Sequence, residues 1–296
     1  MPYRVRVDWA PAHELVMSLD AYAAVSSHRS LDLGDAWVAQ TREKLPAALA
    51  ACTEAPPLAM LTPLLHQCPG PRTPAGFFRW LAGLTPGEMY ERLVAETALP
   101  ADLEALRDKA VDLLTRWDEA YFRQVDPGLL ERLAGAASAL GEQACSQADP
   151  VALVEEATRG IYVAPDAAID EIRLVPQFHK RPITLTVAGR RSLTFYVPAP
   201  DSAGAPGEPG GDLLRQVRAL ADESRLRLLH DLAGGPRTFM ELVAASGLTK
   251  GTVHRHVWTL RFAGLVRANY ADGRLALRPG AFERVAAHLQ GFVTQR

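Results

Sequence analysis

Only three cysteines, Cys52, Cys68 and Cys145, occur in 296 residues. They are far apart and form no CxxC pair, which excludes a disulfide framework and a cysteine-built zinc site. They read as small buried hydrophobes. No apolar run approaches the roughly 20 residues of a membrane span. The opening MPYRVRVDW lacks the apolar stretch of a secretory leader. The expectation is a cytoplasmic, reducing setting without membrane contact. Also missing are GxSxG, a P-loop, HExxH and GxGxxG, so hydrolase, NTPase or dehydrogenase chemistry has no support. No catalytic residue, metal or cofactor is therefore expected.

What is present divides unevenly. The length suggests two domains. Residues 212–296 carry 13 Lys+Arg against 7 Asp+Glu, whereas residues 1–211 carry 19 against 27. An acidic body joined to a basic end places any polyanion contact in the C-terminal part. Between them PAPDSAGAPGEPGG, residues 198–211, has no periodicity and reads as a linker. The expected division is 1–200, linker 201–211 and 212–296.

In the first part, Tyr3, Val5, Val7 and Trp9 alternate with Arg4, Arg6 and Asp8 as in a half-buried strand. Helical patterning runs from Pro11 to about Arg159. The clearest stripe is Leu103, Leu106, Ala110, Leu113, Trp117 and Ala120, followed by Leu130, Leu133, Ala137, Leu140 and Ala144. After Asp166 the period becomes two. EIRLVPQF, residues 171–178, reads as a strand, and the runs around Leu185 and Phe195 form a hairpin turned at residues 188–191. The N-terminal strand is expected to join this sheet beside residue 195. The fold class is mainly α (α+β): a helical N-terminal domain with a small antiparallel sheet, then a C-terminal winged helix-turn-helix.

That last assignment rests on residues 238–276. Thr238 and Glu241 form a capping box that starts a two-turn helix ending at Gly247. Thr249 caps the next helix, whose inward stripe is Val253, Val257 and Leu260. Lys250, Gly251, Thr252, His254 and Arg255 fall on its exposed N-terminal part, where a recognition helix meets base edges. Arg255 suits a guanine or a phosphate, and Lys250 a phosphate. Leu265-Val266-Arg267 and Arg274-Leu275 flank a hairpin at Asp272-Gly273, so Arg267 and Arg274 are wing contacts. The expected DNA-binding set is Thr249, Lys250, Gly251, Thr252, His254, Arg255, Arg267 and Arg274.

Ala221-Asp222-Glu223-Ser224-Arg225-Leu226 and Leu260-Arg261-Phe262-Ala263-Gly264-Leu265-Val266 make this region similar to the ArsR-type winged-helix repressors. The resemblance implies dimerisation through the first and last helices of the domain, with Phe282, Val285, Ala286 and Leu289 as an apolar stripe. It also implies a double-stranded, palindromic operator. Metal-responsive members carry cysteines in the helix before the turn or His/Asp/Glu sets on the last helix. Here residues 239–244 have no cysteine, and the last helix offers only Glu283 and His288. Leu174-Val175-Pro176-Gln177-Phe178 and the helical body before it resemble, more weakly, an uncharacterised bacterial domain that precedes such winged helices.

Two further groups of residues admit both a structural and a functional reading. His66-Gln67-Cys68 has no supporting second ligand pair and reads as a partly exposed histidine beside a buried cysteine. Phe77, Arg79, Trp80, Arg116, Trp117 and Tyr121 fit a helical core with snorkelling arginines, or an apolar effector pocket with a cationic anchor. Glu155-Glu156 reads as a solvated helix face. The functional expectation is a homodimeric repressor with a non-metal or unknown effector, for which a small molecule is one option. The alternative is a ligand-binding or enzymatic N-terminal domain, with the winged helix serving protein interaction.

Overall fold

The computed structural model describes residues 3–99, 101–146, 149–165, 168–200 and 207–294. They fall into two units, one of residues 3–148 and 168–199, the other of 149–167 and 200–296. The helical character with small sheets agrees with the sequence.

The first unit packs around the helix Pro11–Ala23, which has proline in its first turn and buries eleven of its thirteen residues. It meets the helices Leu58–Gln67, Pro74–Ala82 and Leu103–Ala120 and the strand Glu171–Gln177. Leu15, Met17 and Leu19 have no exposed surface. A helix enclosed on all sides must also satisfy its polar side chains, because burying them unpaired is costly. The Ser18 hydroxyl donates to the Leu15 carbonyl at 2.7 Å and accepts from the Trp117 indole at 2.9 Å. The Glu14 carboxylate accepts from the backbone N–H groups of Phe178 and His179, and lies 2.6 Å from His179 Nδ1. In Leu103–Ala120 the expected Leu103, Ala110 and Trp117 are buried, with Leu114 enclosed in place of Leu113.

The sheet of this unit has the order Arg4–Val7, Glu171–Gln177, Ser192–Pro198, Leu185–Ala188. The expected hairpin is present, but the sheet is mixed. Arg4–Val7 runs parallel to Glu171–Gln177, with Arg4 opposite Glu171 and Val7 opposite Leu174. The first strand therefore joins the sheet without lying beside residue 195, because Glu171–Gln177 stands between them. Ile172, Leu174 and Val175 are all fully buried, as expected for a central strand covered on both faces. Cys68 is buried and Cys52 partly so, but Cys145 is exposed. It sits late on the helix Pro127–Ser146, where burial is confined to Leu129 and Leu133 near the start.

The second unit contains the helices Gly211–Leu220, Glu223–Ala233, Phe239–Ser246, Lys250–Phe262 and Ala281–Thr294 and the strands Val266–Asn269 and Leu275–Leu277. Its core is built from Leu228, Leu232, Leu242, Val253, Leu260, Leu265, Val266 and Leu275. Of the expected linker, residues 201–206 lie outside the described residues. Residues 149–165 pack with this unit, whereas the sequence reading placed them in the first. After the helix Pro150–Ala157, the strand Ile161–Tyr162 runs parallel to Val266–Asn269. The N–H of Ala268 donates to the Gly160 carbonyl and that of Tyr270 to the Tyr162 carbonyl, both at 2.8 Å. Glu155 and Glu156 are accordingly not a free solvated face. Glu155 lies 3.2 Å from Arg267, Glu156 lies 2.5 Å from Arg278, and Arg159 reaches Asp212 at 2.7 Å.

Gly160 makes this pairing possible. Its φ is +116°, and a Cβ there would stand 3.0 Å from the Val266 carbonyl oxygen and 3.2 Å from Arg267 Cα. Both the conformation and the contact exclude a side chain. Gly160→Ala should destabilise the protein by about 1–3 kcal/mol, seen as a lower urea midpoint. An unchanged midpoint would contradict the close strand approach.

Candidate nucleic-acid interface

The reading helix is fixed by local chemistry at both ends of the turn before it. The Thr238 N–H donates to Glu241 Oε2 at 2.7 Å, and the Glu241 N–H donates back to Thr238 Oγ1 at 3.2 Å. This completes the expected capping box. Phe239–Ser246 ends at Gly247 in the left-handed region, φ +65°, where glycine avoids the steric penalty of a Cβ. Thr249 then caps Lys250–Phe262 by accepting the Thr252 N–H at 3.3 Å.

Val253, His256, Val257 and Leu260 face inward. Lys250, Gly251, His254, Arg255 and Trp258 are exposed, and Thr252 is half-buried. The helix therefore brings Lys250, Gly251, His254 and Arg255 together on one outward surface. Thr249 and Thr252 shape its start, their hydroxyls 2.9 Å apart. Trp258 belongs to the same surface and was missed. Its indole N–H donates to His254 Nε2 at 2.7 Å, and Arg261 stacks over its ring at 4.8 Å. Because an indole nitrogen only donates, His254 Nε2 is the acceptor and the ring proton belongs on Nδ1. The i, i+4 spacing of His254 and Trp258 was the signal available in the sequence.

The two wing arginines differ. Arg274 is exposed at the hairpin, within 3.8 Å of Asp272 and 4.0 Å of Glu241. Gly273 supplies the positive φ of the turn at +69°, and Asp272 Oδ1 accepts the Arg274 N–H at 2.9 Å. Arg267 instead pairs with Glu155 at 3.2 Å and lies over the Tyr162 ring at 4.9 Å. Its charge is engaged inside the unit. Glu155 is more than 100 residues earlier, so no local pattern announced this partner.

The other expected site residues lie in the helical unit. Phe77 and Trp117 are fully buried in its core, Trp80 and Arg116 are half-buried, and Arg79 is exposed. Arg116 turns to Asp112 at 3.2 Å. Of the six, Tyr121 lines a cavity of about 280 Å³, shared with Trp37, Phe178 and His179. Tyr121 Oη accepts from the Trp37 indole at 2.8 Å and lies 2.8 Å from His179 Nε2. Burial, above all, pushes its phenol up to about 12. His66 is partly buried beside the buried Cys68, as expected, but its side chain is only 6 % exposed. It lies 2.6 Å from Asp8 Oδ2, and burial foremost lowers its pKa to about 4. Burial would raise the Asp8 carboxyl, but hydrogen bonds from Arg72 and His66, with the His13 ring close by, outweigh it and hold the group well below the usual carboxylate range.

With this geometry in place, residues 222–268 match the family described as bacterial regulatory protein, arsR family. The match begins at Asp222, the residue capping Glu223–Ala233, and ends within the first wing strand. This stretch is an ArsR-type helix-turn-helix, and it supports a DNA-binding transcriptional regulator. No curated protein and no solved structure matches the chain. No helix among the described residues is long and apolar enough to cross a membrane.

His256 links the reading helix to pH. Its imidazole is 5 % exposed, and Nδ1 has no hydrogen-bond partner. Burial lowers its pKa, and Arg225 and Arg255 push the same way against the opposing Asp222. The unfolded chain takes up this proton near pH 6.5, while the folded helix resists it. Stability is therefore retained above about pH 6.5 and lost as pH falls toward the lowered folded value. In thermal melts from pH 7.5 to 5, His256→Gln should lose less stability on acidification than the natural protein. Identical pH dependences would contradict this.

Proposed function

We propose that this protein is a cytoplasmic, homodimeric repressor that reads a palindromic operator and answers to an effector in its helical unit. The observation carrying this reading is the recognition helix. Buried Val253, Val257 and Leu260 hold it in one rotational setting, with Lys250, Gly251, His254 and Arg255 turned outward. Gly251 lets the backbone approach a phosphate or a base. Arg255 grips a guanine edge or a phosphate, and Lys250 a phosphate. His254, with its proton on Nδ1, offers one directed donor to an acceptor such as a purine N7. Arg274 reaches the neighbouring backbone or minor groove from the wing. Thr249 and Thr252 set the helix start, and Arg267 contributes by holding the wing to residues 155–162.

Fluorescence anisotropy with the duplex upstream of the protein's own gene tests this. Tight binding should weaken linearly in log–log dependence on salt, because phosphate contacts release counterions. Arg255→Ala should cost about 1–3 kcal/mol, or roughly 5- to 150-fold in Kd. Arg267→Ala should change operator affinity far less. Equal affinity for random duplex at physiological salt would overturn specific regulation.

Dimerisation is supported by an apolar surface on the terminal helices. Gly211–Leu220 packs on Ala281–Thr294 within the unit, leaving Val217 46 %, Phe282 47 %, Leu289 46 % and Val293 67 % exposed. A second copy covering this surface would place two recognition helices about one DNA turn apart. Leu289→Asp, or Phe282→Asp as an independent variant, should yield monomers in sedimentation and lower operator affinity by at least about tenfold. A dimer surviving both changes would overturn this interface.

The effector site proposed is the cavity beside Tyr121, where Trp37 and Phe178 offer apolar walls and His179 a polar atom. An effector favouring the dimer geometry with misplaced recognition helices lowers operator affinity by its differential binding energy, typically about 1–3 kcal/mol.

A further inference from the structure

A second group of polar residues in the helical unit lies outside both the reader and the Tyr121 cavity. Asp8 follows the first strand, His13 is in the first turn of Pro11–Ala23, and His66 is near the end of Leu58–Gln67. One ligand atom from each lies within 4.8 Å of the others. The His13 ring is wholly buried, and its Nε2 has no hydrogen-bond partner although it stands 3.5 Å from Asp8 Oδ2. A buried imidazole nitrogen left unpaired and directed at a carboxylate and a second imidazole is an unfinished arrangement.

The far nitrogen of each histidine is already held, and Arg72 grips both oxygens of Asp8. His13 Nδ1 lies 3.2 Å from the Tyr196 hydroxyl, which is 2.9 Å from Thr62 Oγ1. His66 Nε2 lies 3.1 Å from Thr194 Oγ1. Arg72 donates to Asp8 Oδ1 at 2.5 Å and to Oδ2 at 2.8 Å. Partners that orient the far nitrogen of each histidine are what a bound metal requires of its surroundings. Tyr196 has no exposed surface and the His66 side chain almost none, so these orientations are locked by packing. A cavity of about 280 Å³ lined by Thr62, His66, Arg173 and Thr194 adjoins the group at His66.

We propose that Asp8, His13 and His66 form a binding site for a divalent transition ion of the Zn²⁺ class. Two imidazoles and one carboxylate favour such an ion over the oxygen-seeking Mg²⁺ and Ca²⁺. Three protein ligands leave a fourth position for water or an anion. Bonds of about 2.0–2.1 Å at tetrahedral angles set ligand atoms about 3.3 Å apart. Asp8 and His13 already stand at 3.5 Å, whereas Asp8 and His66 at 2.6 Å must separate slightly. Arg72 neutralises Asp8, so the ion keeps most of its charge. That limits affinity, favours an anionic fourth ligand and makes the ion exchangeable. A bound ion would fasten the end of the first strand to two of the helices.

The test uses the full chain. Titration with Co²⁺ should give the visible absorption of a tetrahedral or five-coordinate ion, saturating at one equivalent and displaced by Zn²⁺. His13→Gln and His66→Gln should each weaken that binding by at least about 100-fold, more than the tenfold to 100-fold cost of losing an outer partner. Because either variant could fold poorly, crystals of the natural protein soaked in Zn²⁺ provide an independent measurement. Anomalous scattering between Asp8, His13 and His66 supports the site. No saturable equivalent, binding that survives both substitutions, or an ion located elsewhere overturns it.

Discussion

The packing of Val253, Val257 and Leu260 into the core of the C-terminal unit governs everything the recognition helix does. Each buried aliphatic side chain of this size contributes about 1.5–3 kcal/mol, and the three lie on one side of a single helix. Rotation about the helix axis would expose them and bury Arg255 or Lys250. The apolar stripe thus sets the direction of the polar one. The Thr238–Glu241 capping box and Gly247 fix where the preceding helix starts and stops, so the turn delivers the stripe to the core in register.

The wing depends on a different set of contacts. Its first strand is paired on both sides, by Leu275–Leu277 and by Ile161–Tyr162. The second pairing comes from residues distant in sequence and is fastened by Glu155 and Glu156 on Arg267 and Arg278. The folded unit is therefore larger than the stretch of family resemblance, and its boundary is not the Pro/Gly-rich segment alone. Among the described residues, 149–165 belong to the unit of the winged helix although they precede residues 168–199 of the helical unit in the chain.

What could be read from the sequence follows the range of the interactions involved. Caps, turns and stripes depend on residues three or four apart, so Thr238, Gly247, Thr249 and the Val253/Val257/Leu260 stripe were legible. So was the hairpin ending in Ser192–Pro198, whose strands are adjacent. The rest depended on partners far along the chain. Arg267 looked like a wing contact because Glu155 and Tyr162 lie in another segment. The first strand was placed beside the wrong neighbour because period-two alternation carries no information on strand order. His66 seemed isolated because His13 and Asp8 reach it only through the fold, and Ile161–Tyr162 is too short to produce any alternation.

The surface around Arg255 is proposed to read a two-fold symmetric DNA sequence. Selection of bound fragments from a sheared genomic library by the full-length protein tests it most directly. Enrichment of a site with two inverted half-sites about one helical turn apart is expected, with loss of that enrichment for Arg255→Ala. Recovery of fragments without a shared sequence, or the same enrichment with the variant, would contradict it.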